Sequence, residues 1–417
     1  PLLSGRPDER GLVALPLVTP ETGRVERYVA VAKAYGHAAS EEISFREGDF
    51  GAVEMVIPEG GQIRVRVRDV KSRDPLSARI RLEPLDGTAK PSLGPDYRAS
   101  GAGDTVIAVT GQSWISVPRG RYRVQVTRGP EWSLVARDVD VTDTYSPLVD
   151  AELAHQVEPG DFVGADLHLH AAPSPDSEVT LEDRLASLLA EGVEFAVATD
   201  HNHVTDYGPA LAALGVAGLT VESGVEVTTE QPGFGHFNAY PFPLDEARPG
   251  NGAPKFLATE PGELFRSLHQ VDPDLVVQIN HPRSWGGIGY FDVMNFDAKN
   301  DTADPLFSSE FDAIEVFNGF YLGQRANVDR VFEDWLQMLA RGKRVAATGS
   351  SDSHQVRYQL AGYPRTYVSV PEVDRRDTRA LVRAIKMGAS FVSSGPFVEV
   401  EIAGGGPGTT VSRTGAG

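Results

Sequence analysis

The stretch Asp166-Leu-His-Leu-His-Ala-Ala-Pro-Ser-Pro-Asp-Ser177 places two histidines two positions apart, at the end of an apolar segment that begins at Phe162. Residues two apart in a β-strand point to the same face, so His168 and His170 can present both imidazoles to one ion. A lone His-x-His pair is more often a surface or core feature than a metal site. Its interpretation therefore depends on the rest of the chain.

Strand-like and helical segments alternate along the chain after Asp161. Seven strand-like segments each close on polar residues: Phe162–His170, Val193–His201, Leu219–Thr228, Gly235–Phe242, Leu275–His281, Phe311–Asn318 and Val345–His354. Helical spacing covers Gly262–Val271, Gln324–Gly342 and Asp377–Gly388, and a capping box at Thr180-Leu-Glu-Asp183 opens another helix. Alternating strands and helices favour a parallel sheet, and barrel enzymes place their chemistry at the carboxyl ends of such strands. We therefore predict an α/β fold, a distorted (β/α)7 barrel over residues 159–400.

Residues 1–158 have a different pattern. Segments such as Gln62–Arg68 and Ala78–Leu82 alternate apolar and basic residues with period two, and turns containing Gly or Pro separate them. Short strands at this spacing favour an antiparallel β-sandwich with one face in water, which we interpret as an accessory region. We take its outward arginines as a solvated strand face rather than a stripe for a polyanion. At the other end, Phe397–Ile402 is predicted as a strand, and residues 401–417 as a tail or the start of a further module.

Further histidines and carboxylates recur at or beside the ends of the predicted strands. They are His201, Glu226, His236, His281, Asp352 and His354. A buried histidine or carboxylate without a partner is costly, so a shared cation is the simplest explanation for so many of them. The sequence predicts a centre of divalent ions, and imidazole with carboxylate ligands suits Zn²⁺, Mn²⁺ or Fe²⁺.

The composition excludes several other classes of protein. The 417 residues carry a formal charge of −19, which argues against a nucleic-acid partner because phosphate selects for clustered Lys and Arg. No run of about 18 apolar residues occurs, so the sequence predicts no membrane-spanning helix. The absence of Cys excludes disulfides, thiolate catalysis and cysteine zinc sites, which leaves His, Asp and Glu as the metal ligands.

The order of these motifs resembles that of the PHP (polymerase and histidinol phosphatase) family of metal-dependent hydrolases. The likeness covers roughly residues 160–400. The amino-acid sequence of the motif Asp166–Ser177 is most similar to that of the carbaryl-hydrolase-type branch. That branch also tends to carry a β-rich region before its catalytic domain. The resemblance implies a (β/α)7 barrel with two or three metal ions at its mouth.

The resemblance also implies a role for each matching residue. The implied ligands are His168, His170 and Asp352 for a first ion, Glu226 as a bridge, His236 and His281 for a second ion, and His201 and His354 for a third. Trinuclear members of the family take one more His just beyond the first motif, where this chain has Pro173-Ser-Pro-Asp-Ser177. Either Asp176 substitutes as an oxygen ligand, or His201 and His354 contact substrate, orient other ligands or transfer protons instead. We favour two ions, with a third site that is weak or absent.

Residues beside these motifs are further candidates. Arg283 either grips a phosphate or polarises a carbonyl as part of the catalytic set, or it forms a surface ion pair. Asn318 either faces the site or shapes a turn before Gly319. Aromatic residues of the loop after the fifth strand form a lip for an apolar leaving group or pack over the barrel: Trp285, Tyr290, Phe291 and Phe296. The remaining ring nitrogens of the ligand histidines need partners, and the residues placed to supply such contacts are Asp166, Asp200 and Asn280.

The leading hypothesis is a metal-dependent hydrolase of small molecules, in which hydroxide held between the ions attacks an ester-type bond. Its expected catalytic residues are Glu226, Asp352, His201, His354 and Arg283. The branch resemblance implies a carboxylic or carbamic ester, and the phosphoester that PHP relatives commonly hydrolyse is the alternative. A possibility from another class is a binding protein whose metal is structural. By family analogy we expect a periplasmic or secreted bacterial protein.

Overall fold

The computed structural model describes residues 4–14, 27–46, 52–284, 287–319 and 325–412. Within these ranges the chain forms nineteen β-strands in five sheets and six α-helices. None of the described helices is long and apolar enough to cross a membrane. The sheets provide most of the frame on which the predicted ligands are placed.

The first nine strands build the β-rich region. They are β1 (Tyr28–Ala30), β2 (Ile43–Phe45), β3 (Gly60–Asp69), β4 (Ala78–Leu85), β5 (Thr105–Ala108), β6 (Gln112–Pro118), β7 (Gly120–Thr127), β8 (Val135–Val141) and β9 (Leu148–Leu153). One sheet has the order β6-β3-β9, a second has β5-β4-β7-β8, and β1 pairs with β2. Alternate side chains of the two larger sheets, such as Ile63, Ile80 and Val124, point into one shared apolar core. Outward arginines meet carboxylates, as Arg68 meets Asp150 at 3.1 Å, and this fits a solvated strand face.

One strand pair differs from the wholly antiparallel arrangement expected. Strands β3 and β9 run parallel, with Arg64 opposite Leu148 and Asp69 opposite Leu153. The other pairs of the two larger sheets are antiparallel. The difference arises because the chain after β8 does not turn back beside that strand. It crosses to the other sheet over residues 142–147 and joins its edge.

Ten further strands and six helices follow. The strands are β10 (Phe162–Asp166), β11 (Phe195–Ala198), β12 (Thr220–Ser223), β13 (Val225–Thr228), β14 (His236–Tyr240), β15 (Val276–Ile279), β16 (Ala313–Asn318), β17 (Ala346–Ser350), β18 (Arg365–Ser369) and β19 (Ser390–Ser393). The helices are α1 (Leu181–Ala190), α2 (Gly208–Leu214), α3 (Pro261–His269), α4 (Tyr290–Val293), α5 (Arg325–Ala340) and α6 (Thr378–Lys386).

Local predictions had mixed outcomes. The capping interaction that opens α1 is confirmed, since the Thr180 hydroxyl accepts a hydrogen bond from the Asp183 backbone N–H. The strand predicted at Phe397–Ile402 is wrong. Among the described residues, that segment forms only one isolated bridge, at Ile402, because Val398 and Val400 point to solvent without a neighbouring strand.

The strands after residue 161 form two five-stranded sheets rather than a closed barrel. One sheet has the order β12-β11-β10-β18-β19, and the other has β13-β14-β15-β16-β17. Within the described residues no ladder of hydrogen bonds joins the two sheets. Isolated bridges, Leu169 with Ser353 and His201 with Glu226, span the seam. The prediction of a (β/α)7 barrel is therefore wrong.

Two features of the chain explain this outcome. The third predicted strand breaks at Gly224, so that β12 joins one sheet and β13 the other. A Cβ at this position would lie 2.8 Å from Val197 Cγ1, so the close approach requires glycine. Antiparallel pairs also interrupt the alternation, because β14 turns back against β13 across a connection too short for a helix. The unpredicted strands β18 and β19 are likewise antiparallel to their neighbours.

A buried polar junction, the Glu131 junction, joins the β-rich region to β18. The Glu131 carboxylate accepts hydrogen bonds from Arg365 Nη1 at 3.2 Å and from the Tyr367 hydroxyl at 2.9 Å. His155 Nε2 lies 3.2 Å from the other carboxylate oxygen, and its ring stacks on Trp132. Burial raises the pKa of Glu131, but the His155 hydrogen bond and the Arg365 charge outweigh burial and lower that pKa. The same hydrogen bond raises the pKa of His155.

We expect the stabilisation from the His155–Glu131 pair to weaken above neutral pH. Because the folded-state pKa of His155 lies above 6.5, the contribution is complete below that value and is lost as pH rises through the raised pKa. On the acid side it is lost as pH falls through the lowered pKa of Glu131. His155→Gln should cost about 1–2 kcal/mol more unfolding free energy near pH 6 than near pH 9, measured by urea denaturation. The lost Trp132 stack affects both measurements alike, so an equal cost at both pH values would contradict the ion pair.

Candidate metal centre

Strand ends bring the predicted ligands together at the seam between the two sheets that follow residue 161. His168 and His170 follow β10, His201 follows β11, His281 follows β15, Asp352 and His354 follow β17, Glu226 lies in β13, and His236 begins β14. Three groups of these side chains place their donor atoms within 4.8 Å of one another. The groups are His168, His170 and Asp352; His201, Glu226 and His236; and His170, Asp176, His201 and His354.

The first group surrounds the two histidines of the His-x-His motif. Asp352 Oδ1 lies 3.3 Å from His168 Nε2 and 3.2 Å from His170 Nε2. Glu226 also faces this group, since its Oε1 is 3.3 Å from His168 Nε2 and its Oε2 is 3.4 Å from His170 Nε2. Atoms bound at about 2.0–2.1 Å to a tetrahedral ion lie about 3.3–3.4 Å apart. The four side chains therefore have the spacing of ligands to a single ion.

Glu226 is also the centre of the second group. Its Oε1 lies 3.3 Å from His236 Nδ1 and 3.6 Å from His281 Nε2, while its Oε2 lies 2.8 Å from His201 Nδ1. One carboxylate thus faces histidines of both groups, which is the geometry that a bridging ligand requires. The arrangement differs in one respect from the ligand set implied by the resemblance, because His201 approaches Glu226 more closely than His281 does.

Asp176 draws the third group together. Its Oδ2 lies 3.3 Å from His201 Nε2 and 3.1 Å from His354 Nε2. The His354 ring stacks on that of His170, with ring centroids 4.1 Å apart. Since the two nitrogens of His201 face different carboxylates, this imidazole links the second and third groups.

Several buried nitrogen and oxygen atoms of the cluster lack a hydrogen-bond partner, and this fits a cation. Among the described residues, five of the twelve buried side-chain atoms without a hydrogen-bond partner lie here: His168 Nε2, Glu226 Oε2, His236 Nδ1, His281 Nδ1 and His354 Nε2. Native interiors leave few such atoms unpaired. Neutral imidazoles and carboxylates together are the ligands of divalent ions such as Zn²⁺, Mn²⁺ and Fe²⁺. The residues present therefore fit divalent metal binding, with no preference among these ions.

Burial and neighbouring charge shift the pKa values of the ligands. Burial alone would raise the pKa of Glu226 and Asp352, but the surrounding histidines hold both pKa values well below the ordinary range. Burial lowers the pKa of His170 to about 3, so its imidazole is neutral and able to coordinate. Burial also acts to lower the pKa of His201, yet Glu226 and Asp176 raise it to about 10. Protons and cations thus compete for the same atoms, as expected where metal binding releases protons.

Glu315, which the sequence interpretation missed, orients the first group from behind. This buried carboxylate of β16 lies 3.1 Å from His168 Nδ1, which leaves Nε2 of that ring facing the cluster. It also accepts hydrogen bonds from the His281 backbone N–H at 2.9 Å and from Asn318 Nδ2 at 2.9 Å. Asn318 Nδ2 lies 3.1 Å from Asp352 Oδ2 as well, so Asn318 faces the site. A charged residue within the apolar run Ala-Ile-Glu-Val-Phe was the available signal.

Of the three residues predicted to contact histidine rings, Asn280 contacts Glu226 instead, and Asp200 acts on His170 through Ser174. Asn280 Nδ2 donates to Glu226 Oε1 at 2.8 Å. Asp200 acts through Ser174, whose hydroxyl donates to it at 3.1 Å and lies 2.9 Å from His170 Nδ1. Carboxylates and amides in such positions fix the orientation of a metal ligand.

The third predicted supporting residue, Asp166, binds backbone and hydroxyl groups instead of a histidine ring. Its carboxylate accepts hydrogen bonds from the Ser351 hydroxyl and N–H and from the Gly362 N–H. Asp166 thereby supports the chain next to Asp352. The φ of Asp352 is 49°, which lies in the left-handed region, and the φ of His281, at 28°, lies there as well. Such backbone costs on the order of 1–3 kcal/mol per residue and persists where the surroundings hold it.

Arg283 does not join the cluster. Its Nε donates to Asp334 at 2.8 Å and its Nη1 to Asp292 at 3.1 Å, and the side chain is nearly buried. The structure therefore places it in an ion pair, although a buried one rather than one on the surface. In the loop after β15, Tyr290 and Phe291 are packed into the core instead of forming a lip, as is Phe296. Trp285 lies outside the described residues.

A cleft of about 280 Å³ opens beside the first group. Its polar side carries His281, Asn318, Asp352 and His354. Its lining also includes Arg283 and four apolar residues, Ile288, Val316, Val328 and Val331. The cleft gives a small molecule access to the donor atoms of the cluster.

Comparison with known proteins finds similarity among solved structures. No protein-family model matches the sequence, and neither does any curated protein. Among solved structures, a two-domain protein from Bacteroides vulgatus ATCC 8482 containing a predicted PHP-like metal-dependent phosphoesterase matches at 18% identity and a TM-score of 0.40. That match covers 57% of this chain and 66%, just under two thirds, of the other.

Two other structural matches are more distant. A protein from Bifidobacterium adolescentis ATCC 15703, provisionally described as a metal-dependent phosphoesterase, matches at 16% identity and a TM-score of 0.31, over 53% of this chain and 96% of its own. BcpA, the major pilin subunit of Bacillus cereus, matches at 15% identity and a TM-score of 0.20, over 33% of this chain and 40% of its own. Of these three neighbours, one is described as PHP-like and another as a metal-dependent phosphoesterase, and none of the three descriptions names the carbaryl-hydrolase-type branch. At these scores they assign no function, so the function proposed below rests on residues of this chain.

Proposed function

We propose that the chain is a metal-dependent hydrolase that cleaves a small, uncharged ester. The observation that carries the proposal is the convergence of nine ligand-type side chains: His168, His170, Asp176, His201, Glu226, His236, His281, Asp352 and His354. A structural ion is usually enclosed by about four ligands. The larger number, together with the cleft that opens on the cluster, favours an open multinuclear centre over a binding protein stabilised by metal.

The residues of the chain have distinct parts in this chemistry. Divalent ions bound here would supply hydroxide near neutral pH and stabilise negative charge that develops on the substrate. Glu226 would be the ligand shared between ions, because its two oxygens face different histidines. Asn318 orients Asp352 by donating to its Oδ2, and Glu315 keeps Nε2 of His168 directed at the cluster.

Asp176 is proposed as the oxygen ligand of a third group. It stands where the sequence lacks the additional histidine of trinuclear PHP relatives, and one of its oxygens faces both His201 and His354. This favours the first of the two alternatives left open by the sequence. It also gives the centre three groups of donors in place of two.

The lining of the cleft favours an uncharged ester over a phosphoester. Arg283, the residue considered for gripping a phosphate, is neutralised by Asp334 and Asp292. The lining also includes Ile288, Val316, Val328 and Val331, which suit a small aliphatic or aromatic group. We therefore propose a carboxylic or carbamic ester as substrate, with the apolar group against Val328 and Val331.

A substrate panel tests this proposal. The protein is stripped of metal, loaded with Mn²⁺ or Zn²⁺, and assayed on nitrophenyl acetate, naphthyl methylcarbamate and nitrophenyl phosphate, with the stripped protein as control. We expect kcat/KM for a neutral ester to exceed that for the phosphate by at least about tenfold. Faster turnover of the phosphate would replace the ester assignment with phosphoesterase activity. Bound metal without turnover of any substrate would overturn the hydrolase.

A further inference from the structure

The turn that carries His354 is held from outside by the β-rich region. Backbone N–H groups of Val356 and Arg357 both donate to the carbonyl oxygen of Asp96, at 2.8 and 3.2 Å. The Arg357 guanidinium then reaches the Asp104 carboxylate, with Nε 2.9 Å from Oδ1. Residues 253 positions apart in sequence are thereby joined just beside the metal centre.

Packing around this contact leaves little freedom. Val356 is buried in a small apolar cluster with Ala99 and Ile107 of the β-rich region and with Ala186 of α1. Gly103 has a φ of +60°, and a Cβ there would overlap the Arg357 guanidinium. The Arg357 guanidinium therefore lies against Gly103, where glycine permits the positive φ and leaves free the space that a Cβ would fill.

The other side of the turn fixes His354. Its backbone N–H donates to Gln359 Oε1 at 2.6 Å, and the Ser353 hydroxyl lies 2.6 Å from the Gln359 carbonyl oxygen. These contacts close residues 353–359 into a compact turn. A displacement of Arg357 would therefore move His354, whose Nε2 lies 3.1 Å from Asp176.

We propose that Asp104 and Arg357 are positioning residues, through which the β-rich region sets the place of His354 in the third group of metal ligands. The inference rests on the proposed function of that centre. Both side chains are 23% exposed, so the ion pair itself adds little to global stability. The ion pair acts instead on the position of His354. The β-rich region is then part of the metal centre rather than an appended module.

The test compares Asp104→Ala, Arg357→Ala and the double variant with Asp138→Ala. The control removes an ion pair of the same kind, that of Asp138 with Arg123, on the outer face of the β-rich region. We expect about tenfold weaker binding of the last Mn²⁺ ion by isothermal titration, as for loss of a residue that supports a metal ligand. Amide exchange over residues 353–359 should become about tenfold faster, and the double variant should resemble either single one.

Arg357→Lys adds a readout that a merely structural role would not move. It keeps the charge but loses the planar group that contacts Asp104 through Nε and Asp96 through Nη1 and that lies against Gly103, so it should not restore Mn²⁺ affinity. Unchanged Mn²⁺ affinity and unchanged exchange in both alanine variants would overturn the positioning role. Neither readout requires turnover, so a wild-type protein inactive on every ester would refute the proposed function while leaving this inference decided by binding and exchange.

Discussion

Glu226→Gln is expected to lose metal and activity together. The substitution keeps the size of the side chain but removes the charge from the carboxylate that faces His168, His170, His201 and His236. A bridging ligand contributes to two ions at once, so we expect elemental analysis to find at least two fewer ions per chain. Ester hydrolysis should fall by at least about 100-fold, since even residues that only support ligands are worth 10–100-fold.

Two further variants show whether this loss is specific. Asp176→Asn affects the third group alone and should remove one ion while the others stay bound. Glu222→Gln, in the neighbouring strand β12 and outside all three groups, should keep full metal content and activity. Full metal content in Glu226→Gln would exclude Glu226 as the bridge, whatever the other variants do.

Arg184→Met is expected to have the largest effect on stability. Arg184 is fully buried on α1, and its guanidinium donates to the carbonyl oxygens of His170 and Ser353, both at 2.8 Å, and to the Ser353 hydroxyl at 2.7 Å. It thus joins the two chain segments that carry the His-x-His motif and Asp352. Methionine would remove three buried hydrogen bonds from a charged donor, each worth about 1.5–3 kcal/mol, although the Ser353 carbonyl oxygen would keep its hydrogen bond from the His170 N–H at 3.0 Å. We expect the free energy of unfolding to fall by about 3 kcal/mol or more in urea denaturation.

The matched variants separate charge from geometry. Arg184→Lys keeps a cation but cannot reach both carbonyl oxygens from one planar group, so it should recover only part of the loss. Arg383→Met, on the half-exposed face of α6, removes an arginine without uncovering buried carbonyls and should change stability by less than about 0.5 kcal/mol. If Arg184→Met matched Arg383→Met, the guanidinium would not be what joins the two segments.

The convergence of the ligand-type side chains could be predicted because strand ends carry a strong sequence signal. His168, Glu226 and His281 each stand at or just beyond an apolar run, and in the fold those runs are buried strands that converge. The supporting residues were harder to recognise. Arg184 lies three positions after Leu181 and four before Leu188, on the apolar stripe of its helix, and Glu315 interrupts a buried strand. In both cases the available signal was a charged residue at a position that the apolar pattern predicts to be buried.

The arrangement of the sheets could not be predicted in the same way. Leu219–Thr228 has the composition of one strand, but the structure divides it at Gly224, which Val197 approaches closely, into β12 and β13. Strand β18 begins with Arg365, which is buried because Glu131 and the Glu191 carbonyl accept its hydrogen bonds. Contacts between residues far apart in the chain decide both features, and no local pattern encodes them.

The Glu131 junction limits how far the ligand-bearing half can be transplanted by itself. A graft that starts at residue 159 would leave Arg365 and Tyr367 without their shared acceptor, and Arg365 is only 2% exposed. Both residues belong to β18, which pairs with β10, the strand that leads into His168. Protein engineers who wish to carry this metal centre to another protein should therefore move the β-rich half with it.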